Sequence, residues 1–397
     1  MSFSSLLDQV PEYPFRKVGR ISREVAQRDG VPVINARIGI PDREAPQAIK
    51  AAMARYILEE NSTFGYPCDV HPDRGIPELI EAIVTDYRQK YSVEIKPENI
   101  AVIGWAKEVL HNLVRMFDPG RVKIPDPVYP AYEAAVILAN HEVDRVKTSR
   151  ETNWLPEFRF REDSSTTGEK KTVAFYFCDP NNPTGNTATE DFYLSLFNEI
   201  ESEDITGIFD KAYKDYTFDE SIRPVSITQI PGLMSRGFEV YSFSKHYNFV
   251  GIGLGWIVSS EDNINRWLKL ASQYSQGIEW YKQKTGVEAL TNPSVKEEMD
   301  EYMQELKERG DLFTRGLNEL RLEVNVPRAT PHLWVKVPDG YDDEDFVLNK
   351  MINEAHVAFM PGSYFGVNGK GYLRATLFVP KNEIEEVLDR INKVKSW

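Results

Sequence analysis

Val173-Ala-Phe-Tyr-Phe-Cys178 leads directly into Asp179-Pro-Asn-Asn182-Pro-Thr-Gly185. Six apolar residues in a row, with no polar alternation, predict a strand buried on both faces. Two prolines and a glycine then fix an irregular turn. Glu190–Glu203 follows with helical spacing, and Gly207–Asp210 and Val240–Ser244 read as two more strands. Upstream the same alternation holds. Ile100–Ile103 and Val122–Ile124 read as strands, each followed by a helix, Lys107–Phe117 and Ala131–Ala139. This order predicts an α/β fold: a large domain whose mostly parallel sheet is sandwiched by helices.

The pattern changes towards both ends. After the strand around Trp256–Val258, Asp262–Tyr274 and Pro293–Leu320 read as long helices. Strand Leu333–Val337, helix Asp342–Glu354, strand Gly371–Leu377 and helix Glu383–Lys393 then suggest a small α+β domain. The first 45 residues read as an arm with a short strand, Val33–Ile38, and Ala45–Glu59 and Gly75–Tyr91 as helices. We therefore expect residues 1–44 to form an arm and part of the small domain. Residues 45–290 would form the large domain, and 291–397 the rest of the small one.

The totals narrow the function. The net charge of −14 argues against a nucleic-acid surface, which needs Lys and Arg to neutralise phosphates. The two cysteines show no metal-ligand spacing, so no metal site is expected, and a reducing cytoplasm is the expected compartment. No apolar run approaches the roughly 20 residues of a membrane helix. The N-terminus, MSFSSLLDQVPEYPFRK, lacks the pattern of a signal peptide.

Ligands of such folds bind at the carboxyl ends of the strands. Lys245 follows Val240–Ser244, where an amine could form an imine with an aldehyde cofactor; alone, it could equally be a solvated charge. Asp210 ends its strand and could hold a pyridine nitrogen protonated, or simply cap a helix. Tyr213, three residues on, could reach the same ligand or be a surface aromatic. The amide of Asn182 could donate to a phenolate oxygen, or the turn could be generic. Gly104-Trp-Ala-Lys107 joins a strand to a helix N-terminus, which suits a phosphate or is a plain turn. Arg374 lies within the apolar stretch Tyr372-Leu-Arg-Ala-Thr-Leu, where a buried guanidinium needs an anion: a substrate carboxylate or an internal partner.

Asn-Pro-Thr-Gly, Asp-x-x-Tyr, Ser-x-Ser-Lys and Tyr-Leu-Arg, in this order, resemble the fold-type-I pyridoxal-phosphate aminotransferases of class I/II. The resemblance runs from roughly Val33 to the C-terminus. Tyr13, Ala106-Lys107 and Leu333-Trp-Val-Lys-Val resemble the aspartate and LL-diaminopimelate aminotransferase branch. The resemblance implies pyridoxal 5′-phosphate as cofactor, with Lys245 as its Schiff-base lysine. It implies Asp210 at the ring nitrogen, Asn182 and Tyr213 at the phenolic oxygen, and Tyr129 stacked on the ring. Ala106, Lys107, Ser242 and Ser244 match phosphate-binding positions. Tyr66 matches a tyrosine that reaches the partner subunit's phosphate, which implies a homodimer with shared active sites. Gly39 and Arg374 match binders of the substrate α-carboxylate, and Tyr13 would also line the substrate site. The implied reaction moves an amino group from an amino acid, acidic or dicarboxylic by the branch resemblance, to a 2-oxo acid. A β-lyase or decarboxylase on the same fold is the nearest alternative, and a scaffold without catalysis a remote one.

The chain also departs from the family pattern. Where the family carries a phosphate-gripping Arg eight residues after the lysine, Gly253 stands in Gly251-Ile-Gly-Leu-Gly255. Trp105 replaces a small residue before Ala106. Gln276 aligns with an Asn from the partner subunit. Lys107 or His246 is the expected substitute for the missing Arg.

Overall fold

The structure, a computed structural model, describes residues 3–59, 74–157, 170–219, 221–325 and 329–397. Its centre is a seven-stranded sheet. In spatial order the strands are Ile100–Ile103, Gly255–Val258, Gly237–Ser242, Thr206–Asp210, Thr172–Cys178, Arg121–Asp126 and Glu142–Lys147. The last five run parallel, and Gly255–Val258 is antiparallel to both of its neighbours. Gly237–Ser242 and Gly255–Val258 are buried at every position, as strands covered by helices on both faces must be. Helix Pro77–Tyr91 supplies part of that cover through Leu79, Ile80, Ile83 and Tyr87.

A second sheet of four antiparallel strands comprises Met360–Pro361, Tyr372–Thr376, His332–Lys336 and Val324–Asn325. Near it Ile34–Asn35 pairs in parallel with Val357–Ala358, so the start of the chain is tied to its last quarter. The long helix Pro293–Glu319 carries buried Arg309, whose guanidinium is matched by Asp42 at 2.8 Å and Glu305 at 2.5 Å. Among the described residues no helix is long and apolar enough to cross a membrane.

Several expectations change. The N-terminal stretch read as an arm contains a 16-residue helix, Pro14–Asp29. Pro14 suits its first turn, and Gly30, at φ 67°, closes it by donating its N–H to Ala26 O. The strand expected at Val33–Ile38 shrinks to Ile34–Asn35. Glu142–Lys147, too charged to stand out, is an edge strand, where charge discourages further pairing. Trp280–Thr291 is an additional helix. The strand expected at Val240–Ser244 ends at Ser242, and Phe243–His246 forms one helical turn. The helix expected at Asp342–Glu354 widens to π-helical geometry over Phe346–Glu354.

Candidate active site

A cavity of about 830 Å³ opens beyond the carboxyl ends of the central strands. Twelve of the residues singled out from sequence line it: Tyr13, Gly39, Ala106, Lys107, Tyr129, Asn182, Asp210, Tyr213, Ser242, Ser244, Lys245 and Arg374. Tyr66, the thirteenth, lies outside the described residues.

Lys245 is held by the helical turn after Gly237–Ser242, and Ser242 caps that turn by accepting from the Ser244 N–H at 3.2 Å. The Lys245 Nζ donates to Gly39 O at 2.5 Å. Burial pushes its pKa down to about 8, and the nearby Arg374 charge pushes the same way. Asp210 ends the strand Thr206–Asp210 and is buried. Its Oδ2 accepts from Tyr132 OH at 2.6 Å and its Oδ1 from the Ala212 N–H at 3.0 Å. These donors are neutral, so burial still raises its pKa above the usual carboxylate value.

Arg374 is 1% exposed. It donates from Nη1 to Asn182 Oδ1 at 2.7 Å and from Nη2 to Arg37 O at 2.6 Å. No carboxylate among the described residues pairs with it, and burial lowers its pKa to about 10. The internal acid considered from sequence is therefore not among its partners. Phe15 and Phe365 present their rings to the guanidinium at 5.1 and 5.0 Å. Tyr213 OH meets His332 Nε2 at 3.2 Å, and Tyr13 OH meets Tyr129 OH at 3.1 Å.

Helix Ala106–Leu113 points its N-terminus at the cavity, and helix geometry leaves the Ala106 and Lys107 N–H groups without intrahelical acceptors. Lys107 Nζ sits 4.4 Å over the Tyr13 ring. His246, the other expected substitute for the missing Arg, is not among the lining residues; its ring packs against Tyr216 and Tyr247 instead. Gly253 is at φ 70°, and a Cβ there would lie 2.6 Å from Trp105 Cε2. The indole occupies the ground that a side chain at 253 would need. Gln276 lies in a neighbouring hollow with Trp105 and Gly253.

Residues not anticipated from sequence also line the cavity. Arg16, Gly19, Arg20 and Arg23 come from the unanticipated helix, and Arg37 from the segment before Gly39. Arginines at 16, 20 and 23 share one helix face, and that spacing was the available signal. Tyr132 and His332 act behind the lining, on Asp210 and Tyr213.

Comparison with known proteins agrees with this arrangement. The family model for aminotransferase class I and II matches residues 31–391. An LL-diaminopimelate aminotransferase of Halothermothrix orenii is 32% identical, with 98% of each chain covered. A substrate-bound BacF structure from Bacillus subtilis superposes with a TM-score of 0.89 at 29% identity, covering 100% of this chain and 98% of that one. An aspartate aminotransferase from Thermotoga maritima superposes with a TM-score of 0.86 at 25% identity, covering 98% and 99%. With its motifs gathered in one cavity and the match spanning nearly its whole length, the chain belongs to the class I and II aminotransferase family.

Proposed function

We propose that this chain moves an amino group between an amino acid and a 2-oxo acid, with pyridoxal 5′-phosphate as its cofactor. The observation that carries the reading is an enclosed amine, Lys245, sharing one cavity with Asp210, Asn182 and Tyr213 and having no carboxylate bound to it. The residues fit the cofactor. A buried carboxylate with only neutral donors suits a protonated ring nitrogen. An open helix N-terminus beside Ser242, Ser244 and Lys107 suits a phosphate. With no Arg at 253, Lys107 supplies the side-chain charge among these.

When bound, pyridoxal phosphate supplies an electron sink for the pair left at the substrate Cα. The chain's own groups do the rest. Lys245 would hold the cofactor and, once displaced, would carry a proton between the substrate Cα and the cofactor's C4′; a pKa near 8 leaves a useful share of its amine neutral. Asp210 keeps a proton on the ring nitrogen. Asn182 and Tyr213 hold the phenolic oxygen, and Tyr129 covers the ring. Arg374 and the Gly39 region fix the α-carboxylate, which sets the Cα–H bond towards Lys245. Tyr66 would reach the phosphate of a second copy in a homodimer with shared sites.

The test is the visible spectrum of the purified protein, before and after glutamate or aspartate is added without an acceptor. A yellow band that bleaches supports transfer. A protein that stays colourless with excess pyridoxal phosphate would overturn the reading.

A further inference from the structure

We infer that Arg37 and Arg23 form a second anion subsite in this cavity, which selects amino acids carrying a distal carboxylate. The inference rests on the proposed transfer, because that reading assigns the α-carboxylate to Arg374.

Arg37 is 9% exposed. Among the described residues its guanidinium has one acceptor, Phe15 O, reached from Nη1 at 3.1 Å, and its buried Nε has none. No carboxylate there lies within 4 Å of Arg37 or Arg23. Burial lowers the Arg37 pKa, and the Arg23 charge beside it adds to the effect. A buried guanidinium without a counter-charge, pressed against a second cation, is costly unless an anion arrives. Gly19 makes room for it: a Cβ there would sit 2.8 Å from Arg37 Nη2. The lining acids are Glu12, exposed in the wall, and Asp210, already assigned to the cofactor.

The spacing suits a dicarboxylic amino acid. Arg374 donates to the Arg37 carbonyl, so the two residues adjoin. Phe15 faces Arg374 with its ring and Arg37 with its carbonyl. A substrate with its α-carboxylate on Arg374 could run its methylenes along Phe15 and deliver a second carboxylate to the free edge of Arg37. Nη2 has no acceptor among the described residues and would make this charge-assisted contact, with Nε enclosed behind it. Arg16 and Arg20, on the same face of helix Pro14–Asp29, extend the positive wall towards solvent and would draw anions inward despite the net charge of −14.

The test uses the cofactor-loaded protein, with Arg37→Gln and the exposed Arg23→Gln. The readout is the kcat/KM ratio for glutamate over norvaline, together with calorimetric binding of glutarate. The ratio should fall about 10- to 100-fold in Arg37→Gln, the range for losing a charged hydrogen bond, and less in Arg23→Gln. Glutarate binding should weaken in parallel. If Arg37→Gln does not fold, Arg23→Gln carries the test. An unchanged ratio would overturn the subsite, as would a preference for O-phosphoserine over glutamate. So would variants that alter only the dimer's dissociation, since the cations would then be serving a second copy. If the wild type transfers from neither amino acid yet binds glutarate through Arg37, the transfer reading fails and the subsite stands.

Discussion

Two groups of buried charges in this molecule are treated in opposite ways. Beneath the central sheet the buried lysines have counter-ions, and buried Glu239 is held by three built-in neutral donors, Tyr87 OH, Ser226 Oγ and the Ile227 N–H. Lys211, 0% exposed, donates to Asp179 Oδ2 at 2.7 Å, to Tyr193 OH at 2.5 Å and to Val225 O at 2.6 Å. Lys214 pairs with Asp86 at 3.0 Å inside a box of Tyr87, Tyr241 and Trp256 rings. In the cavity, Lys245, Arg37 and Arg374 donate to carbonyl or amide oxygens, and Asp210 accepts from neutral groups. Charges whose partners are built in hold the fold. Charges left without partners await one from outside, and the fold bears their cost.

The sharpest way to break this contrast is Lys245→Ala. Turnover should fall by about 10⁴-fold, the upper end for loss of a positioned acid–base group, while the urea midpoint holds or rises. Near-normal transfer in single-turnover spectra would end the assignment. Next come two methionine substitutions compared side by side. Lys211→Met strands Asp179 and should cost about 3–5 kcal/mol in urea unfolding. Arg374→Met removes an unpaired charge and should change stability by less than about 1 kcal/mol, while kcat/KM falls about 100-fold. Equal losses of stability would erase the distinction between the two groups.

The pH dependence tests the cavity alone. Only the neutral amine of Lys245 attacks an aldehyde. Uptake of pyridoxal phosphate by cofactor-free protein should therefore quicken about tenfold per pH unit below the lysine pKa and level off above about 8. A midpoint near 10.5, the ordinary lysine value, would mean that burial does not act on Lys245 as described. The smallest effect is expected for Gly19→Ala. Alanine favours the helix by about 1 kcal/mol, but its Cβ displaces the Arg37 fork. Stability should stay within about 1 kcal/mol, and the glutamate-over-norvaline ratio should drop about 2- to 5-fold. An unchanged ratio would show that the fork has slack.

What the sequence revealed and what it hid divide along the same line. The strand before the Asn182 turn, Thr172–Cys178, was legible because a doubly covered strand is written as an unbroken apolar run. The family motifs then brought twelve residues into one cavity from positions up to 361 residues apart, Tyr13 to Arg374. Helix Pro14–Asp29 was not legible. It buries only Val18, Gly19 and Val25, so its apolar stripe is thin and its arginines dominate the reading. Glu142–Lys147 was missed because an edge strand carries charge where a central one carries valine. Lys245 was read as following a strand that runs to Ser244, because Ser242 caps a helical turn too short to leave a period of its own. The backbone partners of Arg37 and Arg374, Phe15 O and Arg37 O, had no signal at all, since any residue supplies a carbonyl.

The pairing of Ile34–Asn35 with Val357–Ala358 has a consequence for how the protein is made. A ribosome releases the strands of the large sheet long before it reaches residue 357, and domains fold as they emerge. Arg37 and Gly39 follow the early half of that pairing, and Arg374 lies beyond the late half. The growing chain can therefore complete its sheet, with Lys211 and Lys214 already matched beneath it, while the unmatched arginines are still apart. The two arginines proposed to bind substrate meet only as synthesis ends, so a chain stopped short of Tyr372–Thr376 would lack Arg374 and could not complete the site.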